Sequence, residues 1–105
     1  MMAHSLITDS HCHLDFPDFE HELNCIVERA SQNGVHRILT ICTRLCEEPK
    51  NRSIAERFDG VFYAAGTHPM NAAIVPMATT DELLGLSEHP KFIGIGEAGL
   101  DYHYT

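Results

Sequence analysis

The chain has 105 residues, 44% hydrophobic and 21% charged, with a formal net charge of −8. That usage fits one modest globular domain and not a disordered chain. The acidic balance also argues against broad electrostatic binding to nucleic acid, whose phosphates reward Lys and Arg, although bound cations would change the local sign. No apolar run approaches the roughly 20 residues that span a bilayer. Met1 to Ser5 lacks the basic start and apolar stretch of a secretory signal, so a cytoplasmic protein without a membrane partner is expected.

Strand-like and helix-like stretches alternate along the chain. Leu6 to His11 starts apolar and runs into polar residues, the pattern of a buried strand ending in function-bearing groups. Phe19, Leu23, Ile26, Val27 and Ala30 then recur on one helical face, with Asp18 as the expected N-cap after Pro17 and Gly34 as the left-handed stop. Val35 to Thr43 reads as a second buried strand and Pro49 to Phe58 as a short helix with Ile54, Ala55 and Phe58 inward. Val61 to Gly66 is a third strand. Thr79 to Glu82 matches a capping box opening a helix with Leu83 and Leu84, and Phe92 to Gly96 is a fourth strand. The order βαβαβαβ predicts a parallel sheet with right-handed crossovers and helices on one face.

Polar clusters follow three of these strands, at the end where parallel α/β folds place their chemistry. In Asp9-Ser10-His11-Cys12-His13, side chains two apart share a face, so His11 and His13 can offer two imidazoles to one metal ion. Asp9 would hold a histidine tautomer from behind. Two ordinary surface histidines are the plainer alternative. In Gly66-Thr67-His68-Pro69, His68 would face the mouth of the sheet and bind a phosphate oxygen or transfer a proton. A lone histidine before proline is otherwise structural or merely exposed.

In Gly94 to Tyr102, Glu97 directly follows an apolar strand, where an unpaired carboxylate is costly unless a metal holds it. A glycine-rich turn with a solvated glutamate is the alternative. The cysteines Cys12, Cys25, Cys42 and Cys46 form no CxxC pair and read as reduced thiols, with a partial metal site at Cys42 and Cys46 the lesser alternative.

Asp9 to Leu14 (D-x-H-x-H-L), Gly66 to Pro69 (G-x-H-P) and Gly96 to Tyr102 (G-E-x-G-L-D-Y) together resemble the TatD-like metal-dependent hydrolases, from Leu6 to Tyr102. The resemblance implies a TIM-type barrel of which this chain is the first four β/α units, a parallel half-barrel forming one incomplete domain. It implies one or two divalent cations, with zinc, magnesium and manganese not distinguished. It further implies cleavage of phosphodiester bonds in DNA by a metal-activated water. By that resemblance His11, His13 and Glu97 bind metal, Glu97 bridges two ions, and His68 and Asp101 line the mouth and position substrate.

A complete barrel takes about 250 residues, so the family's two later histidines and late aspartate have no counterpart here. His103 matches none of them. A fragment, a frameshifted or decaying gene product and one half of a split protein are all consistent with that length. Weak metal binding and self-association through open sheet edges are expected of such a chain. The competing functions are an amidohydrolase-type barrel acting on amide or ester bonds and a non-catalytic half-barrel remnant.

Overall fold

In a computed structural model, residues 6–68 and 79–98 are described. Four parallel strands, β1 (Ile7–Cys12), β2 (Val35–Ile41), β3 (Val61–Ala65) and β4 (Phe92–Ile95), lie in the order β1-β2-β3-β4. Helices α1 (Leu23–Gln32), α2 (Glu48–Arg57) and α3 (Thr80–Leu86) alternate with them. Sequential order in a parallel sheet is the layout of consecutive β/α units, and it sets all strand C-termini at one end. The expected parallel (β/α) architecture is therefore present.

The core lies between the sheet and the first two helices. Leu14, Leu23, Ile38, Ile54, Ala55, Val61 and Tyr63 are buried there, with Phe19, Ile26, Val27 and Phe58 packed against them. Tyr63 carries a polar tip into this core. Its hydroxyl donates to Glu48 Oε2 at 2.9 Å, and its ring meets Phe92 edge-on at 5.4 Å. Burial and the Glu48 carboxylate push the phenol well above its usual range, so it stays a donor.

Lys91 ties β4 to α2. Its ammonium lies 2.7–2.9 Å from the carbonyls of Ala55, Phe58, Asp59 and Val61, over the Phe62 ring. Burial pulls its pKa down. The nearby Asp59, the carbonyls at the helix C-terminus and the ring face favour the charged form.

Two expectations change. The helix expected from Asp18 is split. Pro17 holds Phe16 extended and opens a 3-10 turn at Pro17–Phe19, and α1 begins only at Leu23. The N–H groups of Phe19, Glu20 and Glu22 each bond three residues back, and Asp18 caps nothing. Gly34 does close α1, with φ 91°.

The first strand, expected to be buried, is exposed along most of its length. Among the described residues β1 has only β2 beside it. The sheet face away from the helices is uncovered, leaving Ile7, Ile93 and Ile95 more than half exposed. Among the described residues no helix is long and apolar enough to cross a membrane.

Candidate metal centre

Each described candidate side chain reaches the site from the C-terminal end of a strand. His11 lies near the end of β1, His13 just past it, His68 beyond β3 and Glu97 beyond β4. Asp101, with Pro69, Tyr102 and His103, lies outside the described residues. Parallel pairing alone does not aim these groups. Asp9 faces Ile38 and Cys12 faces Thr40, so β1 carries one residue more than β2 over this stretch, a bulge. Asp9, exposed beside the bulge, accepts the His11 N–H on Oδ1 at 3.1 Å. Asp9 thus braces the main chain of His11 and does not hold an imidazole tautomer, as its place in the strand suggests.

The tautomer is held by β2 instead. His13 Nδ1 lies 2.9 Å from the Ile41 carbonyl. A carbonyl only accepts, so Nδ1 carries the proton and Nε2 faces the site. Phe16 stacks on the same ring, with centroids 4.9 Å apart and planes at 6°. Leu14 N–H donates to the buried Thr40 hydroxyl at 3.0 Å, which donates to the buried Asn51 Oδ1 at 2.9 Å. Neither Thr40 nor Asn51 stands out by sequence. The only signal was a hydroxyl within an apolar strand and an amide on the inner face of a helix.

Glu97 is the meeting point. Its Oε2 lies 3.5 Å from His11 Nε2 and 3.4 Å from His13 Nε2, and its Oε1 lies 3.3 Å from His68 Nε2. The ligand atoms of His11, His13 and Glu97 all lie within 4.8 Å of one another. With Nδ1 protonated, neutral His13 presents a lone pair at Nε2 to a carboxylate that is also an acceptor. Two acceptors facing each other require a positive species between them, a proton or a metal ion. Two imidazole nitrogens and a carboxylate are a donor set that suits divalent zinc and tolerates manganese better than the oxygen-seeking magnesium, so the residues fit a metal.

The neighbouring thiols do not compete for that role. Burial, with Asp9 beside it, pushes the Cys12 thiol up, and burial pushes Cys42 up to about 12. Neither is a thiolate at neutral pH, and metals bind the thiolate. Cys42 instead donates to the Arg44 carbonyl, Cys46 is exposed, and among the described residues the pair does not enter the metal-holding cluster. Beneath the site, burial and then the adjoining Asp15 raise the pKa of Glu47, as expected when two carboxyls lie together.

Gly66 sets how closely the ends of β3 and β4 approach. A Cβ there would stand 2.5 Å from the Glu97 carbonyl oxygen, a backbone atom that cannot swing aside. Gly66→Ala is therefore expected to cost about 1–3 kcal/mol and to weaken divalent-metal binding by displacing Glu97. Denaturant titration and cobalt titration measure the two effects, and an unchanged pair of values would show that the close approach does not matter.

Comparison with known proteins gives the same fold and a family. A family model described as TatD related DNase matches residues 8–105. An uncharacterized metal-dependent hydrolase of Bacillus subtilis, YabD, is 30% identical over 99 residues, covering 94% of this chain and 39% of its own length. Deoxyribonuclease TATDN3 of Homo sapiens is 30% identical over 105 residues, covering 91% of this chain and 38% of its own. The crystal structure of YjjV, a TatD homolog from Escherichia coli, superposes with a TM-score of 0.73 at 28% identity, over 91% of this chain and 38% of that one. The chain thus spans about two fifths of the length of these relatives. Because the family model matches residues 8–105, nearly the whole chain, the chain belongs to the TatD-related DNase family.

Proposed function

We propose that this chain carries one half of the active site of a metal-dependent hydrolase that cleaves phosphodiester bonds in DNA. The observation that carries the proposal is the convergence of three imidazole Nε2 atoms on the two oxygens of Glu97. Family membership and the deoxyribonuclease name of a relative support the choice of substrate.

In this reading His11, His13 and Glu97 would hold a divalent cation, with the other Glu97 oxygen facing His68. A cation so placed supplies Lewis acidity, offsetting charge on a phosphoryl oxygen and making water a better nucleophile at neutral pH. His13 is held by Ile41 so that its Nε2 lone pair always faces inward. His68 binds a phosphoryl oxygen or moves a proton at Nε2, and Asp101 positions substrate from the segment that follows Glu97. The net charge of −8 then disfavours nucleic acid everywhere except where cations are held, which confines binding to the site. Four free cysteines suit a reducing compartment, and we place the activity in the cytoplasm.

A protein containing this chain with the rest of its barrel is expected to degrade DNA with added manganese, magnesium or zinc and to lose that activity in EDTA. Glu97→Gln, which keeps the shape but halves the oxygen donors, is expected to lower turnover by about 100-fold or more. DNA cleavage that survives EDTA and Glu97→Gln would refute the site. Amide or cyclic ester turnover without DNA cleavage would favour the amidohydrolase alternative.

We further propose that the 105-residue chain on its own self-associates. In the described sheet β1 and β4 are both edges, flanked by exposed Ile7, Ile93 and Ile95, and such edges recruit other strands. Light scattering is expected to give more than the monomer mass, and a clean monomer at high concentration would contradict this.

A further inference from the structure

The end of β2 contributes no candidate ligand, yet four consecutive residues there touch every chain segment that does. The Thr40 hydroxyl accepts the Leu14 N–H at 3.0 Å, immediately after His13. The Ile41 carbonyl accepts from His13 Nδ1 at 2.9 Å. The Cys42 carbonyl accepts the Glu97 N–H at 3.2 Å, and the Thr43 carbonyl accepts the His68 N–H at 2.9 Å. Segments leaving β1, β3 and β4 are thus registered against one stretch of backbone.

That stretch is itself anchored from the helix side. Thr40 and Asn51 are fully buried, and Asn51 Nδ2 donates to the Glu47 carbonyl at 3.2 Å. The order of donors is forced. Leu14 N–H can only donate to Thr40 Oγ1, so the Thr40 proton must point at Asn51 Oδ1. A buried hydroxyl and amide are worth less to stability than apolar residues of the same shape unless their bonds are all made. Here they are made, and the bond at the far end fixes the residue next to His13. On the other side, Cys42 Sγ donates to the Arg44 carbonyl and Cys42 N–H donates to the Ala64 carbonyl at 3.0 Å, tying the strand end to β3.

We infer that Thr40–Thr43 is the positioning element of the site, and that the Thr40 hydroxyl, locked by Asn51, is the positioning residue that fixes the His13 ring. The inference rests on the metal-site reading of His11, His13 and Glu97, but its geometry can be read without metal.

The test uses the 105-residue chain, labelled with nitrogen-15, in imidazole NMR and cobalt titration. In the wild type the His13 ring should carry its proton on Nδ1 and exchange it slowly. Thr40→Val keeps the shape and removes the hydroxyl. It should expose that ring proton to fast exchange and weaken cobalt binding by about tenfold. Thr40→Ser, which restores the hydroxyl, should recover both.

Thr40→Val matching the wild type in both readouts would overturn the inference. So would Thr40→Ser behaving like Thr40→Val, because methyl packing would then be the cause. If Thr40→Val does not fold, the wild type still decides, since an Nε2-protonated or rapidly exchanging His13 ring would overturn the inference. If the wild type binds no cobalt but Thr40→Val alone frees the ring proton, the positioning role stands and the metal-site reading falls.

Discussion

A carboxylate surrounded by imidazoles is the constraint on which this structure turns. Glu97 sits less than one-quarter exposed, within 3.3–3.5 Å of nitrogen atoms from three histidines. A buried acceptor that faces other acceptors is destabilising unless positive charge lies among them. At the end of a parallel sheet, packing elsewhere holds these groups together, and a proton or a divalent cation between them satisfies the arrangement.

The rest of the architecture supplies that support. Parallel pairing brings all strand C-termini to one end, the bulge in β1 re-aims the residues around His11, and Gly66 lets β4 approach β3 closely enough to deliver Glu97. The helices act from behind the sheet. Through Asn51 and Thr40, α2 reaches the backbone beside His13, and through its terminal carbonyls it holds Lys91 at the start of β4. Both links run from well-packed elements to the ends of strands, where chain conformation would otherwise be least determined.

Much of this could be read from the residues in order. Strands and helices showed in the apolar periodicity, and His11, His13, His68 and Glu97 showed because each follows a strand within a few residues. The capping box at Thr79 and Glu82 also formed as its spacing implied, with Glu82 N–H on the Thr79 hydroxyl at 3.1 Å. What could not be read depended on contacts between distant segments. The bulge beside Asp9 exists only in the pairing of β1 with β2. The split before α1 arose because bonds three residues back outcompeted an Asp18 cap, a choice that propensity does not resolve. Thr40 and Asn51 are ordinary residue types whose meaning comes from meeting each other. Burial of β1 was misjudged because apolar character shows what a face prefers, not what covers it.

The central claim is that His11, His13 and Glu97 share one divalent cation. Anomalous diffraction from crystals grown with zinc or manganese tests it most directly. The account requires a peak among His11 Nε2, His13 Nε2 and Glu97 Oε2, about 2.0–2.2 Å from each if the ion is zinc, with His13 Nδ1 still on the Ile41 carbonyl. No peak there at millimolar metal, or a peak only on side chains away from Glu97, would contradict it.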